Sequence, residues 1–226
     1  MQKLARDLRT VSLALIMVAL GAGAPTAAAA PTAVSFPTAD GGEIHGLLYG
    51  NGDHAVILAH GKVFNKESWA PLAPRLAAAG LHVLAIDFRG YGSSQAGTEG
   101  QSFFLDLMGA MAYLRQQGAT RISLVGASMG GGVAARTAVL AEPGAIDRLV
   151  LLAPAGILKT AEMKANRILY ITSEGDPSVE RTREQYNLAP EPKSLEILPG
   201  EAHAQHIFKT AQAEALVELI MGGLVD

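Results

Sequence analysis

The sequence has no cysteine among its 226 residues, which excludes a disulfide framework and a thiolate metal site. Its 18 Lys and Arg are outnumbered by 21 Asp and Glu, and the basic side chains form no cluster along the sequence. An acidic chain without a basic patch is a poor candidate for binding nucleic acid or an anionic membrane. We find no internal repeat and no linker long enough to separate two folded units, so we expect a single folded domain.

The apolar block VSLALIMVAL at residues 11–20 is short for a membrane span, which needs roughly 20 residues. Three basic residues precede this block and the small-residue stretch GAGAPTAAAA follows it, which is the layout of a secretory signal peptide. We therefore expect residues 1–29 to be a signal peptide and residues 30–226 the folded domain, in a secreted or periplasmic protein. An uncleaved membrane anchor is the alternative. Cleavage would leave a net charge of −5 and no stable membrane insertion.

Short runs rich in Val, Ile and Leu alternate with helical patterns along the rest of the chain. Residues 33–36 and 43–50, joined by PTADGG, are typical of an antiparallel hairpin with an Asp-Gly turn. The later runs are continuously apolar, as expected of strands buried on both faces of a parallel sheet: 55–60, 81–87, 121–126, 147–153, 167–173 and 194–198. Helices are expected between them at 69–79, 102–117, 129–141, 178–188 and 204–221. The pattern predicts a doubly wound α/β sheet of about eight strands, mostly parallel.

The stretch SLVGASMGGGV places a serine among glycines, between a predicted strand and a predicted helix. It does not fit two phosphate-binding motifs, since Ser128 stands where G-x-G-x-x-G needs glycine and no lysine follows the later glycines. It does match G-x-S-x-G at Gly126, Ser128 and Gly130, a pattern that exposes a nucleophilic serine on a strained turn. The alternative is that the glycines only allow a strand to turn tightly into a helix.

A serine hydroxyl is a weak nucleophile unless a base activates it. In the fold that carries this motif, an acid and then a histidine follow on loops after later strands. The loop SEGDPS offers Asp176, with Glu174 as second choice, and PGEAHAQHIF offers His203, with His206 inside the next predicted helix. We expect His203 to accept the Ser128 proton while Asp176 holds the imidazole tautomer. The alternatives are a turn-forming Asp176 and a solvated His203.

The segments AHGKVFNKESW, DFRGYGSS, GASMGG, SEGDPS and GEAHA occur in this order, and with them the chain resembles the α/β-hydrolase superfamily over about residues 40–222. The family's oxyanion loop matches His60–Gly61. This resemblance implies an oxyanion hole made by the backbone amides of Lys62 and Met129, with Val63 replacing Lys62 if the loop is shifted by one residue. Each such donor typically contributes about 3 kcal/mol of transition-state stabilisation.

Residues 154–166 leave room for only one short helix, where many members of the superfamily insert a helical lid. The resemblance therefore implies an open, shallow site, as in small esterases and dienelactone-hydrolase-like members, with no large lid. Its walls would come from nearby loops, and the pocket candidates are Phe64, Trp69, Tyr91 and Ile157. Each of these four side chains could equally belong to the core.

The prediction is a serine hydrolase that cleaves small-molecule carboxylic esters through an acyl-enzyme, without a metal ion or cofactor. Two alternatives stay open. The first is a serine peptidase or amidase on the same fold, and the second is a non-catalytic binding protein on a hydrolase scaffold.

Overall fold

The structure is a computed structural model and describes residues 30–225. Eight strands form one sheet in the order β1-β2-β4-β3-β5-β6-β7-β8. The strands are β1 Thr32–Pro37, β2 Glu43–Tyr49, β3 His54–Ala59, β4 His82–Ile86, β5 Arg121–Ala127, β6 Arg148–Leu152, β7 Arg167–Ser173 and β8 Lys193–Leu198. The pairs β1–β2 and β2–β4 are antiparallel, and every other pair is parallel. The predicted fold class, including the N-terminal hairpin, is confirmed.

Helices cover both faces of the sheet. They are α1 Ala73–Ala78, α2 Phe104–Gln116, α3 Met129–Leu140, α4 Val179–Leu188 and α5 Ala213–Val225. Short 3-10 helices occur at Lys66–Trp69, Thr160–Glu162 and Ala204–Lys209. The strand predictions agree with the structure to within one or two residues at each end.

Two helix predictions need correction. The helix expected over 69–79 starts irregularly, as its prolines at 71 and 74 predict because they cannot donate a backbone hydrogen bond. Its regular part is the shorter α1, which follows the 3-10 helix Lys66–Trp69. The helix expected over 204–221 is divided, because Thr210 adopts an extended backbone conformation. The Thr210 hydroxyl accepts a hydrogen bond from the amide of Gln212 at 3.1 Å, so it caps the start of α5 instead of continuing the preceding turn.

The central strands are buried on both faces, as their apolar runs predict. In β3 every residue is buried, and the side chains alternate between two apolar clusters. Ile57 packs with α2 and α3 on one face, whereas Val56 and Leu58 pack with α1 and α5 on the other. Because β3 to β8 run parallel to one another, the loops that follow these strands all lie at one edge of the sheet.

The segment between β6 and β7 contains only the 3-10 helix Thr160–Glu162, so the described residues include no large lid. Within residues 30–225, no helix is long and apolar enough to cross a membrane. The expected signal peptide at 1–29 lies outside the described residues.

Candidate active site

Ser128 lies between the end of β5 and the start of α3, with φ 49° and ψ −111°. This left-handed backbone conformation is strained for a residue with a side chain. A Cβ atom on Gly126 would overlap the carbonyl oxygen of Gly130, and a Cβ on Gly130 would overlap the carbonyl oxygen of Ala59. Both glycines of the motif are thus required by sterics, and the turn leaves Ser128 half-buried at the carboxyl edge of the sheet.

The structure brings His203 and Asp176 to this serine. The Nε2 atom of His203 lies 2.8 Å from Ser128 Oγ, and its Nδ1 atom lies 2.7 Å from Asp176 Oδ2. Because an ionised carboxylate only accepts hydrogen bonds, the histidine proton belongs on Nδ1. The Nε2 lone pair then faces the serine hydroxyl, which is the arrangement needed for a general base.

The loop after β7 fixes the carboxylate of Asp176, which is 1% exposed. Its Oδ1 atom accepts hydrogen bonds from the backbone amide and the hydroxyl of Ser178, both at 2.7 Å. The second-choice acid Glu174 is exposed and stands outside this network. The second-choice base His206 instead packs against the ring of Phe64, with ring centroids 4.9 Å apart.

The loop expected to form the oxyanion hole is a tight turn beside the serine over residues 61–64, here called the oxyanion turn. The amide of Phe64 donates to the carbonyl of Gly61 at 3.0 Å, which places Lys62 and Val63 at the tip of the turn. A Cβ on Gly61 would lie 3.5 Å from Ser128 Cβ, so the loop passes directly beside the serine. Within residues 30–225, the amides of Lys62 and Val63 donate to no protein acceptor, and neither does the amide of Met129 at the positive end of α3.

His60 anchors this turn, a role that the sequence analysis did not assign to it. It is fully buried, its Nδ1 atom donates to the carbonyl of Gly61 at 2.8 Å, and its Nε2 atom accepts from the amide of Phe88 at 3.2 Å. Burial lowers the pKa of His60, consistent with a neutral ring that uses both nitrogens. Gln205, which accepts from the Gly61 amide at 2.7 Å, was also missed. Its only sequence signal is its position two residues after His203.

Buried ion pairs support the neighbouring loops. Asp87, at the end of β4, accepts from the backbone amide and the Nζ of Lys66 at 2.8 and 2.6 Å. Burial disfavours the charged form of Lys66, but the hydrogen bonds to Asp87 and Glu67 outweigh it and raise the pKa. Arg89, 2% exposed, donates to the carboxylate of Asp106 at 2.8 Å. The first pair ties the chain that follows the oxyanion turn to the end of β4, and the second ties the loop after β4 to α2.

One pocket prediction is wrong. The side chain of Trp69 is fully buried and packs edge-to-face on Phe208, with ring centroids 6.0 Å apart. It belongs to the core between the sheet and the last helix, because the turn at Lys66–Trp69 directs it inward.

The other three pocket candidates are half-buried. Phe64 lies on the oxyanion turn, and Tyr91 places its hydroxyl 3.7 Å from the sulfur of Met129, next to the serine. Ile157 lies in the loop after β6 and packs partly against the core.

Within residues 30–225, no three His, Asp or Glu side chains lie close enough together to form a metal-binding group.

Comparison with known families gives one match that spans most of the chain. Residues 50–205 match a family model described as serine aminopeptidase, S33. A bifunctional epoxide hydrolase 2 of Sus scrofa is 34% identical over 93 residues, which are 40% of this chain and 17% of that protein. An uncharacterised protein of Mycobacterium tuberculosis is 30% identical over 181 residues, 68% of this chain and 64% of that protein. The chain therefore spans less than two thirds of the length of these relatives.

Solved structures share the fold. An esterase of Pyrococcus furiosus has a TM-score of 0.71 at 24% identity, covering 86% of this chain and 91% of that one. An esterase of Exiguobacterium antarcticum has a TM-score of 0.73 at 15% identity, covering 86% and 100%. A dienelactone hydrolase of Anabaena variabilis has a TM-score of 0.72 at 22% identity, covering 85% and 95%.

Proposed function

Because the chain belongs to the serine aminopeptidase S33 family of α/β hydrolases, we propose that it is a serine hydrolase that cleaves carboxylic esters with Ser128, His203 and Asp176. The observation that carries this proposal is the continuous hydrogen-bonded chain from Ser128 Oγ through His203 to Asp176, at 2.8 and 2.7 Å. A serine within hydrogen-bond reach of a base, which is itself oriented by a carboxylate, is the signature of an activated nucleophile.

In the proposed reaction, Ser128 Oγ attacks the ester carbonyl carbon while His203 Nε2 takes the hydroxyl proton. The carbonyl oxygen becomes an oxyanion, which the amides of Lys62 and Met129 stabilise. His203 then returns the proton to the leaving alcohol as the C–O bond breaks, and an acyl-enzyme remains. Water, deprotonated by the same imidazole, attacks the acyl carbon and releases the carboxylic acid and free Ser128.

A small activated ester such as p-nitrophenyl acetate provides the test. Ser128→Ala and His203→Ala should each reduce turnover by about 10⁴-fold or more, since the triad acts as a unit. His206→Ala is the matched control, because this histidine is outside the network, and it should keep most of the activity. Turnover that is undiminished in the Ser128 or His203 variant contradicts the assignment.

The family description makes peptide or amide hydrolysis the second candidate. The esterases and the dienelactone hydrolase among the similar folds favour esters. Rates on an ester and an amide of the same acyl group would separate the two. A folded wild-type protein that a fluorophosphonate probe fails to label would favour the non-catalytic binding protein instead.

We also propose that the protein is exported from the cytoplasm by a cleaved signal peptide. The N-terminal pattern at residues 1–29 favours cleavage after residue 29 and action in the periplasm or medium. Sequencing the N-terminus of the protein isolated from an expressing bacterium should return a chain that begins at residue 30. A chain that still starts at Met1 in the membrane fraction contradicts cleavage.

A further inference from the structure

Gln205 joins three segments of the site beneath its surface. It lies on the 3-10 helix Ala204–Lys209 and is 1% exposed. Its Oε1 atom accepts from the backbone amide of Gly61 at 2.7 Å, and its Nε2 atom donates to the hydroxyl of Ser68 at 2.6 Å. Since a backbone amide can only donate, the Gly61 contact fixes which end of the glutamine amide faces the oxyanion turn.

Both polar groups of Gly61 are thereby engaged. Its N–H is held by Gln205, while its carbonyl accepts from His60 Nδ1 and from the Phe64 amide. The peptide unit that joins Gly61 to Lys62 is planar and trans, so its N–H points opposite to its carbonyl. The contacts to the Gly61 carbonyl therefore set the direction of the Lys62 N–H, while Gln205 fixes the preceding peptide unit through the Gly61 N–H.

The backbone beside His203 is shaped for this contact. Ala204 has φ 50°, a left-handed conformation that is unfavourable for alanine. This turn allows two side chains two residues apart to reach the same site, with His203 bonded to Ser128 and Gln205 bonded to Gly61. The two side-chain contacts hold the strained turn in place.

We propose that Gln205 is a positioning residue that couples the histidine loop to the oxyanion turn and aims the Lys62 amide at the oxyanion formed on Ser128. The inference rests on the proposed function. It also removes the Gly61 amide from the set of oxyanion donors, because that hydrogen is already committed to Gln205.

Gln205→Met tests the inference, because methionine has a similar length but its thioether is only a weak acceptor for the Gly61 N–H. We expect kcat on p-nitrophenyl acetate to fall by about 10- to 100-fold, as a small misplacement of a transition-state contact does. KM should change by less than about three-fold, since the lost interaction is made only in the transition state. The pH midpoint of kcat/KM should stay unchanged because His203 keeps its partners, and affinity for a boronic acid analogue should fall with kcat.

Two further variants separate positioning from general damage. Ser68→Ala removes the partner of Gln205 Nε2 and the hydroxyl's own contact with the Asn65 carbonyl, but it leaves the Gly61 contact, so kcat should stay within about three-fold of wild type. Gln185→Met alters the matched buried glutamine, which bonds the carbonyl of Ala155 instead, and should also keep kcat. A folded Gln205→Met variant with wild-type kcat, or one in which Gln185→Met loses as much, overturns the inference while leaving the proposed function intact.

Failure of the proposed function would give a different result, because wild type and Ser128→Ala would then hydrolyse the ester at the same rate.

Amide hydrogen exchange by NMR tests the hydrogen bond between Gly61 and Gln205 without any turnover. Exchange at Gly61 should accelerate at least ten-fold in Gln205→Met relative to wild type and Gln185→Met. An unchanged Gly61 exchange rate overturns the inference.

Discussion

Replacing Asp176 by asparagine should disable His203 as the proposed base without disturbing the fold. The carboxylate accepts from the Ser178 amide on one oxygen and from His203 Nδ1 on the other. In Asp176→Asn the amide oxygen must face the Ser178 N–H, because a backbone amide cannot accept a hydrogen bond. The asparagine NH₂ group then faces His203 and stabilises the tautomer with its proton on Nε2. That tautomer cannot accept the proton of Ser128.

The expected loss follows from these two contacts. Rotating the asparagine side chain by 180° would restore an oxygen at His203, but it would press the asparagine NH₂ against the Ser178 N–H, so this orientation is disfavoured. We expect kcat on p-nitrophenyl acetate to fall by about 10⁴-fold at neutral pH, equivalent to about 5 kcal/mol of transition-state stabilisation. KM should change little, because Asp176 is buried beneath His203 and does not reach the substrate.

Ser178→Ala is the matched control for this variant. It removes one hydrogen bond to Asp176 but keeps the backbone amide that orients the side chain, so kcat should fall by less than about ten-fold. Thermal unfolding of each variant checks that the fold is intact. A folded Asp176→Asn variant within ten-fold of wild-type kcat would refute the argument that Ser178 and Asp176 together select the tautomer.

Three other perturbations test the structure around the site. Gly130→Ala should abolish activity and lower the unfolding free energy by about 3 kcal/mol in urea denaturation, because the added Cβ overlaps backbone. Gly132→Ala should be far milder, because its nearest contact is the Ala155 Cβ at 3.2 Å and backbone lies no closer than 3.6 Å; equal losses would contradict the steric argument. Arg89→Met should destabilise by about 3–5 kcal/mol in the same assay, since it leaves Asp106 buried without its partner. Arg75→Met at an exposed pair should change little, and equal effects would refute the burial argument. Burial lowers the pKa of three histidines, so the folded state resists their protonation: His54, His60 and His82. The unfolding free energy should therefore be full above pH 6.5 and fall as the pH drops through it. The slope should not exceed about 1.4 kcal/mol per pH unit per histidine, and stability that is constant down to pH 5 would contradict the reasoning.

The catalytic candidates could be found from sequence because their positions follow from the fold's topology. Parallel strands end at one edge of the sheet, so a serine after β5, an acid after β7 and a histidine after β8 must approach one another whatever lies between them. Steric demands also leave a sequence signal, since only glycine fits at 126 and 130. Local chain order and residue size therefore carried the inference of Ser128, Asp176 and His203 as partners.

The remaining features depend on contacts between distant segments, which leave no periodic signal. Gln205 and Gly61 are 144 residues apart in sequence, and a glutamine on a short turn has no pattern that indicates burial. The position of Trp69 in a nearby loop predicts a pocket residue, but packing against Phe208 decides the direction of its side chain. The division of the last predicted helix likewise depends on one Thr210 hydroxyl that apolar spacing does not reveal.

A site without a large lid must hold its geometry from below. The segment after β6 supplies only three residues of 3-10 helix, so the oxyanion turn has no lid to clamp it from the solvent side. Val63, at the tip of that turn, is 77% exposed. Buried polar contacts hold the turn instead, since the imidazole of His60 and the side-chain amide of Gln205 form hydrogen bonds with Gly61 from the protein interior. Under the proposed function these two side chains position the oxyanion turn without contacting the substrate, so substitutions beneath the site should change kcat more than KM.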